Sequence, residues 1–481
     1  MSSLASRIHL VMKTATATFP ESGDPSSAAP TGSSMGRYMA CYLLVALSLT
    51  AILGGIGTVI LPLHIQQLEF AQFFVGAMGQ VNLQELIALK AQVAAGAVSP
   101  SAEQQKLLGV LTAFEAAKAS DVSLAASLAI AATMALQPAV GVASDRTRSR
   151  WGRRAPWMVA GAALAMLGVL TMYLADSVGQ LIAGYTLASV AHAFVGGPLS
   201  ATIVDRVPAL KRGMMSAVAG IGLLIGYVIG LGVAGAAFGK LGTGSYLIFG
   251  VTVCLVTLLF VTLSRDASSG ALPLDKVSVA GHLKSFTVAL RHADFRWVFV
   301  ARVVMLFGYS VSSTFGIYML QSYIEPGLNP EEAARTMPLL HVVGLPATLL
   351  AMVISGRWSD RIHRRKPFVI GASILLSVSM AVPFVWPALW ALYAQHVLAG
   401  IAVGTFLVVD QALLIDVLPD KDAAGRDLGI GALASNLGQA IGPIMAGGVL
   451  AATGGYRMIW LTAMVLTLIA ALAIFPVKRV R

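Results

Sequence analysis

Twelve apolar runs, each close to the roughly 20 residues a helix needs to cross a bilayer, most narrow what this chain can fold into. They lie near 38–62, 122–143, 156–175, 178–204, 213–237, 244–264, 297–324, 337–357, 367–386, 388–415, 427–450 and 456–476. Inside a bilayer every backbone N–H and C=O must be satisfied by the protein itself, so runs of this length form helices. The expected fold class is therefore an all-α membrane protein with twelve transmembrane helices. With 57% hydrophobic and 11% charged residues among 481, the chain carries more apolar surface than a water-soluble protein can hide. Its 48 glycines suit helices whose backbones approach closely. The two cysteines, Cys41 and Cys254, both sit in apolar stretches and imply neither a disulfide framework nor a metal site.

A net charge of +11 would suggest a nucleic-acid partner, but its placement points elsewhere. With a cytoplasmic N-terminus, 26 of the 33 Lys and Arg fall in inner segments, six in outer ones, and Arg302 lies within a span. That bias is the positive-inside signature of a multi-pass inner-membrane protein with both termini in the cytoplasm. Residues 1–36, rich in Ser, Ala, Thr, Pro and Gly, lack an apolar signal-peptide core and read as a disordered cytoplasmic tail.

The chain also repeats itself. Gly141-Val-Ala-Ser-Asp145-Arg146 ends the second span, and Gly356-Arg-Trp-Ser-Asp360-Arg361 ends the eighth. Asp205-Arg-Val-Pro208 follows the fourth span as Asp416-Val-Leu-Pro419 follows the tenth. Gly226-Tyr-Val-Ile-Gly230 in the fifth matches Gly438-Gln-Ala-Ile-Gly442 in the eleventh. Three matches in order at a nearly constant offset predict two pseudo-symmetric six-helix halves, 37–264 and 297–481. A polar cytoplasmic linker over 265–296, carrying Asp275, Lys276 and Arg291, joins them. Duplicated halves of this kind bind a solute near the midplane and rock about it.

An external helical insertion is expected at about 64–121. Asn82-Leu-Gln-Glu85 has capping-box spacing, and Ser99-Pro100 reads as a cap followed by proline at the first helical position. Leu107, Leu111 and Phe114 form an apolar stripe, with Glu103, Lys106 and Lys118 assigned to the opposite face. A cap over the outer vestibule and a membrane-surface hairpin both fit.

The Gly-x-x-x-Asp-Arg loops after the second and eighth spans resemble the signature of the major facilitator superfamily, over essentially the whole chain. The run Thr147-Arg148-Ser149-Arg150-Trp151-Gly152-Arg153-Arg154-Ala155-Pro156-Trp157 is similar to the same loop in glycoside–pentoside–hexuronide/cation symporters and sucrose/proton symporters. Gly197-Pro198 through Asp205 resembles the fourth-helix motif of the latter. The resemblance implies the major facilitator fold and a sugar or glycoside solute coupled to a proton or cation. The sequence departs from it twice. Thr133 and Gln137 stand where melibiose-type permeases carry cation-binding carboxylates, and Ser200 stands where sucrose symporters carry arginine.

Several residues are candidates for the transport cycle. Gly141 can let neighbouring backbones close, and Asp145 can accept from a facing helix N-terminus. Arg146, Arg150, Arg153, Arg154 and their counterparts Arg361, Arg364 and Arg365 can pair with Asp205 or Asp416. Pairs that form and break would give Gly141, Asp145, Gly356 and Asp360 a gating role, against a purely topological one. Asp410 lies more than a turn inside the tenth span, where a carboxylate costs about 2.5–3.5 kcal/mol unless it meets a partner or a cavity. Arg302 in the seventh span is its partner, and the two are candidates for ion coupling or for a static pair. Gln137, His192, Tyr309, Gln321, Asn436 and Gln439 are candidate cavity residues, with helix–helix hydrogen bonding as the plain alternative. His192, His341 and His396 are scattered, which for a histidine in a helix favours a simple hydrogen bond over a proton relay.

No glycine-rich nucleotide loop ending in Lys-Ser/Thr and no metal-spaced cluster is present in the sequence, so no enzyme activity, cofactor or metal is expected. The leading expectation is a secondary active transporter, a proton- or cation-coupled sugar/glycoside symporter working as a monomer in the lipid bilayer without nucleic acid. An exporter of amphipathic metabolites or drugs is the alternative. A non-transporting assembly or sensor protein is a third, from another class.

Overall fold

The computed structural model describes residues 32–266, 268–269, 290–417 and 424–478. Most of the expected tail and linker, including Asp275 and Lys276, and also Pro419 and Lys421, lie outside the described residues. Among those described the ordered elements are helical.

The first span is composite. Helix α1 (Gly32–Ala51) passes into a π-helical stretch, Ile52–Ile60, and then α2 (Leu61–Phe73). Helix α3 (Leu83–Ala94) follows, and α4 (Ala102–Arg146) runs 45 residues without a break. The remainder of the first half is α5 (Ala155–Tyr173), α6 (Val178–Arg206), α7 (Arg212–Leu241) and α8 (Ser245–Leu263). The second half begins with α9 (Ala293–Ser313), which breaks at Thr314–Phe315 before the short α10 (Gly316–Ser322). Helices α11 (Pro330–Ile362), α12 (Lys366–Val385), α13 (Leu389–Asp416), α14 (Ala424–Thr453) and α15 (Arg457–Ile474) complete it. Counting each composite span once gives twelve long helices in two halves.

Two corrections concern the insertion. The chain there is not a free hairpin: α2 and α4 simply prolong the first and second spans, and only 74–101 lies between them. Ser101, not Ser99, caps α4, its hydroxyl accepting from Gln104 N–H while the Gln104 side chain accepts from Ser101 N–H. Pro100 therefore precedes the cap. Asn82 does cap α3, but it accepts from Gln84 N–H, and its amide donates to Glu85 Oε1 at 3.0 Å. Leu111 and Phe114 are wholly buried against Phe70, Phe73, Phe74 and Leu86, as an apolar stripe should be.

Lys118 is the third correction. It is 1% exposed, with its ammonium 4.4 Å from the Tyr318 ring centre and 5.0 Å from that of Phe114. The reason is helical geometry: Lys118 follows Phe114 by four residues and Leu111 by seven, which places it on their face.

The glycine repeat has the same structural meaning in both halves. A Cβ on Gly226 or Gly230 of α7 would strike Leu47, Thr50 or Ala51 of α1. A Cβ on Gly438 or Gly442 of α14 would strike Val303, Phe307 or Ser310 of α9. In each half, paired glycines let the fifth long helix lie directly against the first.

The halves meet at the end bearing the insertion. Gln66 Nε2 of α2 donates to Gln321 Oε1 of α10 at 2.9 Å, and Tyr318 Oη donates to Pro62 O at 2.7 Å. Gln84 Nε2 donates to Leu328 O at 2.8 Å, and Gly235 of α7 packs against the Ala334 backbone of α11.

Candidate functional site

At the opposite, arginine-rich end, the repeated motifs build one device twice. Arg154, 6% exposed and just before α5, reaches Asp145 at the end of α4 (2.6 Å) and Asp205 at the end of α6 (3.1 Å). Arg153 also meets Asp205, at 2.6 Å. In the second half, Arg365 stands just before α12 and reaches Asp360 of α11 (3.5 Å) and Asp416 of α13 (3.2 Å). One arginine thus ties the ends of three helices in each half. Exposed pairs of this kind contribute only about 0–1 kcal/mol each, but Arg154 is nearly buried and so is screened less. Every one of these pairs lies within a half.

The loop Thr147–Trp157 is held by further contacts. Trp157 Nε1 donates to Thr147 Oγ1 at 2.7 Å. Gly152 has φ of +84°, a left-handed conformation that side chains resist, and Asp266 occupies the space a Cβ would need. Asp266 in turn pairs with Arg206 at 3.2 Å. Arg146, Arg150, Arg361 and Arg364 are exposed. Gly141 has open space on its Cβ side rather than a neighbouring backbone, and Asp145 pairs with Arg154, the residue at the N-terminus of α5. Gly356 does pack, against Val408 of α13.

Arg302 and Asp410 are brought together: Nε lies 3.3 Å from Oδ2, with Asp410 wholly buried. The alignment is Coulombic rather than that of a hydrogen bond, and both carboxylate oxygens lack a hydrogen-bond partner. Arg302 Nη2 instead donates to Gln411 Oε1 at 3.0 Å. The pair joins α9 to α13 and does not line the cavity described next.

A cavity of about 430 Å³ opens at the seam between the halves. The first half contributes Thr58 from the π-helical stretch and Leu223, Leu224, Tyr227 and Val228 from α7. The second contributes Tyr309, Ser312 and Ser313 at the end of α9, Gly316 after the break, and residues of α11, α13, α14 and α15. The first and seventh long helices are therefore both irregular where they pass the cavity, the first through a π segment and the seventh through a break. Irregular backbone at membrane depth is tolerated where it lines such a space.

Among the described residues the lining is largely apolar, with a sparse polar set and no Asp, Glu, Lys or Arg. Tyr227 Oη and Thr58 Oγ1 share a hydrogen bond of 2.9 Å. Gln395 Oε1 and Trp460 Nε1 are buried without a partner. Of the six candidate cavity residues, Tyr309 and Gln439 line the cavity. Gln321 is buried at the junction of the halves, bonded to Gln66. Gln137 is exposed, and His192 and Asn436 are half-buried, all three away from the lining set.

His341 and His396 each make the simple backbone hydrogen bond expected, to Met337 O and Leu392 O, but these two are neighbours rather than scattered. His341 of α11 and His396 of α13, 55 residues apart, have ring centres 5.0 Å apart, and both line the cavity. Glycine makes the encounter possible. A Cβ on Gly344 would lie 2.8 Å from His396 O, and one on Gly400 would lie 2.7 Å from Gly344 O, so the two helices cross nearly backbone to backbone. Tyr227, from the other half, lies beside His341, with ring centres 5.5 Å apart and planes tilted by 51°. The surviving clue in the sequence is small-residue spacing, Gly344 three residues after His341 and Gly400 four after His396.

Two duplicated six-helix halves around a cavity at their seam are the architecture of a membrane transport protein. Residues 91–352 and 311–481 match the Major Facilitator Superfamily. The chain belongs to that superfamily. A segment is 32% identical over 148 residues to the human membrane-associated transporter protein, covering 26% of this chain and 28% of that protein. The chain thus spans little more than a quarter of that curated relative. Among solved structures, a bacterial homologue of the human lysosomal transporter Spinster, inward-facing and unoccupied, superposes with a TM-score of 0.61 at 16% identity, over 92% of this chain and 96% of that one. A variant of the nucleoside transporter NupG gives 0.65 at 11% identity, over 92% and 99%. At these identities the likeness is one of fold.

Proposed function

We propose that the chain moves a neutral, hydroxyl-bearing solute with an apolar face, a sugar or glycoside, by alternating access coupled to a proton gradient. The observation that carries this is the seam cavity, contributed by both halves and, among the described residues, lined by no Asp, Glu, Lys or Arg. In a low-dielectric site a charged solute needs a countercharge, and among the described residues no Asp, Glu, Lys or Arg lines this one. A neutral solute needs only hydrogen bonds and packing. Gln395 Oε1 offers an unused acceptor and Trp460 an unused N–H, while Tyr227, Tyr309 and Trp460 offer rings for the apolar face of a pyranose. The loop over Thr147–Trp157, similar to that of sugar symporters, agrees.

The alternating motion is supported by where the halves touch. Contacts Gln66–Gln321 and Tyr318–Pro62 hold the insertion end closed, and that end faces outward on the distribution of Lys and Arg. The arginine knots stay inside each half, so we assign them to keeping each half rigid as it rocks rather than to a latch between halves. Asp410–Arg302 serves the same end as a buried tie between α9 and α13, outside the cavity.

A second reading, export of amphipathic compounds, draws on the apolar majority of the same lining, Leu223, Leu224, Met319, Leu340 and Leu345 among it. One experiment separates them. Purified protein in proteoliposomes is offered labelled neutral sugars and glycosides, and their charged uronate and amino counterparts, under an imposed inward proton gradient. Accumulation of a neutral member, abolished by a protonophore, is expected, with charged counterparts rejected at least tenfold. Equal handling of charged and neutral sugars, or no accumulation of any, contradicts the proposal. Amphipathic dye movement against an inward proton gradient would then favour export.

A further inference from the structure

We infer that His341 and His396 together form the proton-binding site of the cavity, holding one proton between them; this rests on the proton-coupled transport proposed above. The tautomers carry the first step. His341 Nδ1 lies 3.1 Å from Met337 O, and His396 Nδ1 lies 2.8 Å from Leu392 O. A carbonyl oxygen can only accept, so both Nδ1 atoms carry their hydrogens. In each neutral ring Nε2 is then left as a bare acceptor. Two such rings, 5.0 Å apart at 71°, place two proton-accepting nitrogens on one side of the cavity.

The count of one proton follows from the spacing. Two imidazolium rings at this distance, away from any anion, repel strongly in a medium of low dielectric. The first proton forms an N–H bond at one Nε2, and the second ring keeps its lone pair. The proton leaves by the same nitrogen when the site opens to the other side. Tyr227 from α7 lies beside His341 and Tyr309 from α9 lines the same cavity, both uncharged, and among the described residues no Asp, Glu, Lys or Arg lines it. Asp410, on the same helix as His396, is nearly four turns along α13, roughly 21 Å at 1.5 Å per residue, and its partner Arg302 stands on α9.

The position of the pair gives the proton something to do. Tyr227 belongs to the first half, and its ring centre is 5.5 Å from that of His341 in the second. A positive imidazolium there is attracted to the tyrosine face, whereas a neutral ring is not, so protonation strengthens a contact across the seam. A departing proton weakens it. Proton occupancy and the relative position of the halves are thereby linked, which is what coupling requires.

Two measurements on the full-length protein test this. In lipid nanodiscs, nitrogen-15 histidine NMR follows the two imidazoles, identified by the signals lost in His341→Asn and in His396→Asn. Lowering the pH from about 8 to about 5 is expected to add one proton to the pair at Nε2 while both Nδ1 atoms stay protonated. Two bare Nε2 atoms throughout, or a proton gained by each ring independently, overturns the proposal. In proteoliposomes holding a pH dye, the number of protons moved per labelled sugar is expected to be about one in wild type and near zero in either asparagine variant. An unchanged ratio in both variants also overturns it. If wild type moves none of the sugars, the proposed solute fails, while the NMR titration still decides the proton site.

Discussion

Asp410 and Arg302 are the most exposed to a single change, because each is buried and answers for the other. Arg302→Ala strands a carboxylate in an apolar interior, and removal of one partner of a buried pair costs about 3–5 kcal/mol. The apparent melting temperature in detergent should fall markedly. The double change Arg302→Met with Asp410→Leu should recover most of the loss, since no lone charge remains. A double variant no more stable than the single one would remove the structural role assigned to this pair. Lys118 is a different case: its ammonium sits over Tyr318 and Phe114, so Lys118→Ala loses packing and about 0.5–2 kcal/mol of cation–π attraction. Lys118→Arg should keep most of it, measured in the same melting assay. The sequence made Asp410 and Arg302 findable because charge is rare inside an apolar span. It did not make the histidine pair findable, since 55 residues separate His341 from His396 and only the crossing of their helices joins them.

Between helices, the decisive contacts are made by glycine. Gly344 and Gly400 let α11 and α13 cross at backbone distance, so Gly400→Leu should push them apart at an overpacking cost of about 1–3 kcal/mol. It should also separate the histidines, visible as loss of their mutual ring-current shifts in histidine NMR. Gly226→Leu in α7 and Gly438→Leu in α14 break equivalent packings in the two halves and should destabilise by comparable amounts. This symmetry was legible beforehand, because glycines recur at matched positions in sequence. Likewise the Asp145–Arg154–Asp205 knot and its counterpart Asp360–Arg365–Asp416 follow repeated motifs. Helix irregularities were not legible. The π segment Ile52–Ile60 and the break at Thr314–Phe315 both fall inside runs that hydropathy reads as single spans. The buried face of α4 was available from spacing alone, since Lys118 shares the stripe of Leu111 and Phe114.

For the molecule as a whole, the membrane-spanning fold was set out by hydropathy and by an internal repeat, whereas the cavity arises only when the two halves are placed together. No single span signals it: Thr58, Tyr227, Tyr309, Gln395 and Trp460 come from five different helices. In the alternating access proposed, the halves separate at the insertion end and rejoin for each solute moved. Gln66 of α2 and Gln321 of α10, bonded at 2.9 Å across that end, allow a direct test. In a protein carrying Cys41→Ala and Cys254→Ala, Gln66→Cys and Gln321→Cys are introduced and joined by a short reducible cross-linker. Gradient-driven sugar uptake into proteoliposomes is measured before cross-linking, after it, and after reduction. Uptake that stops on cross-linking and returns on reduction is the expected result. Undiminished uptake by fully cross-linked protein would contradict alternating access through this seam.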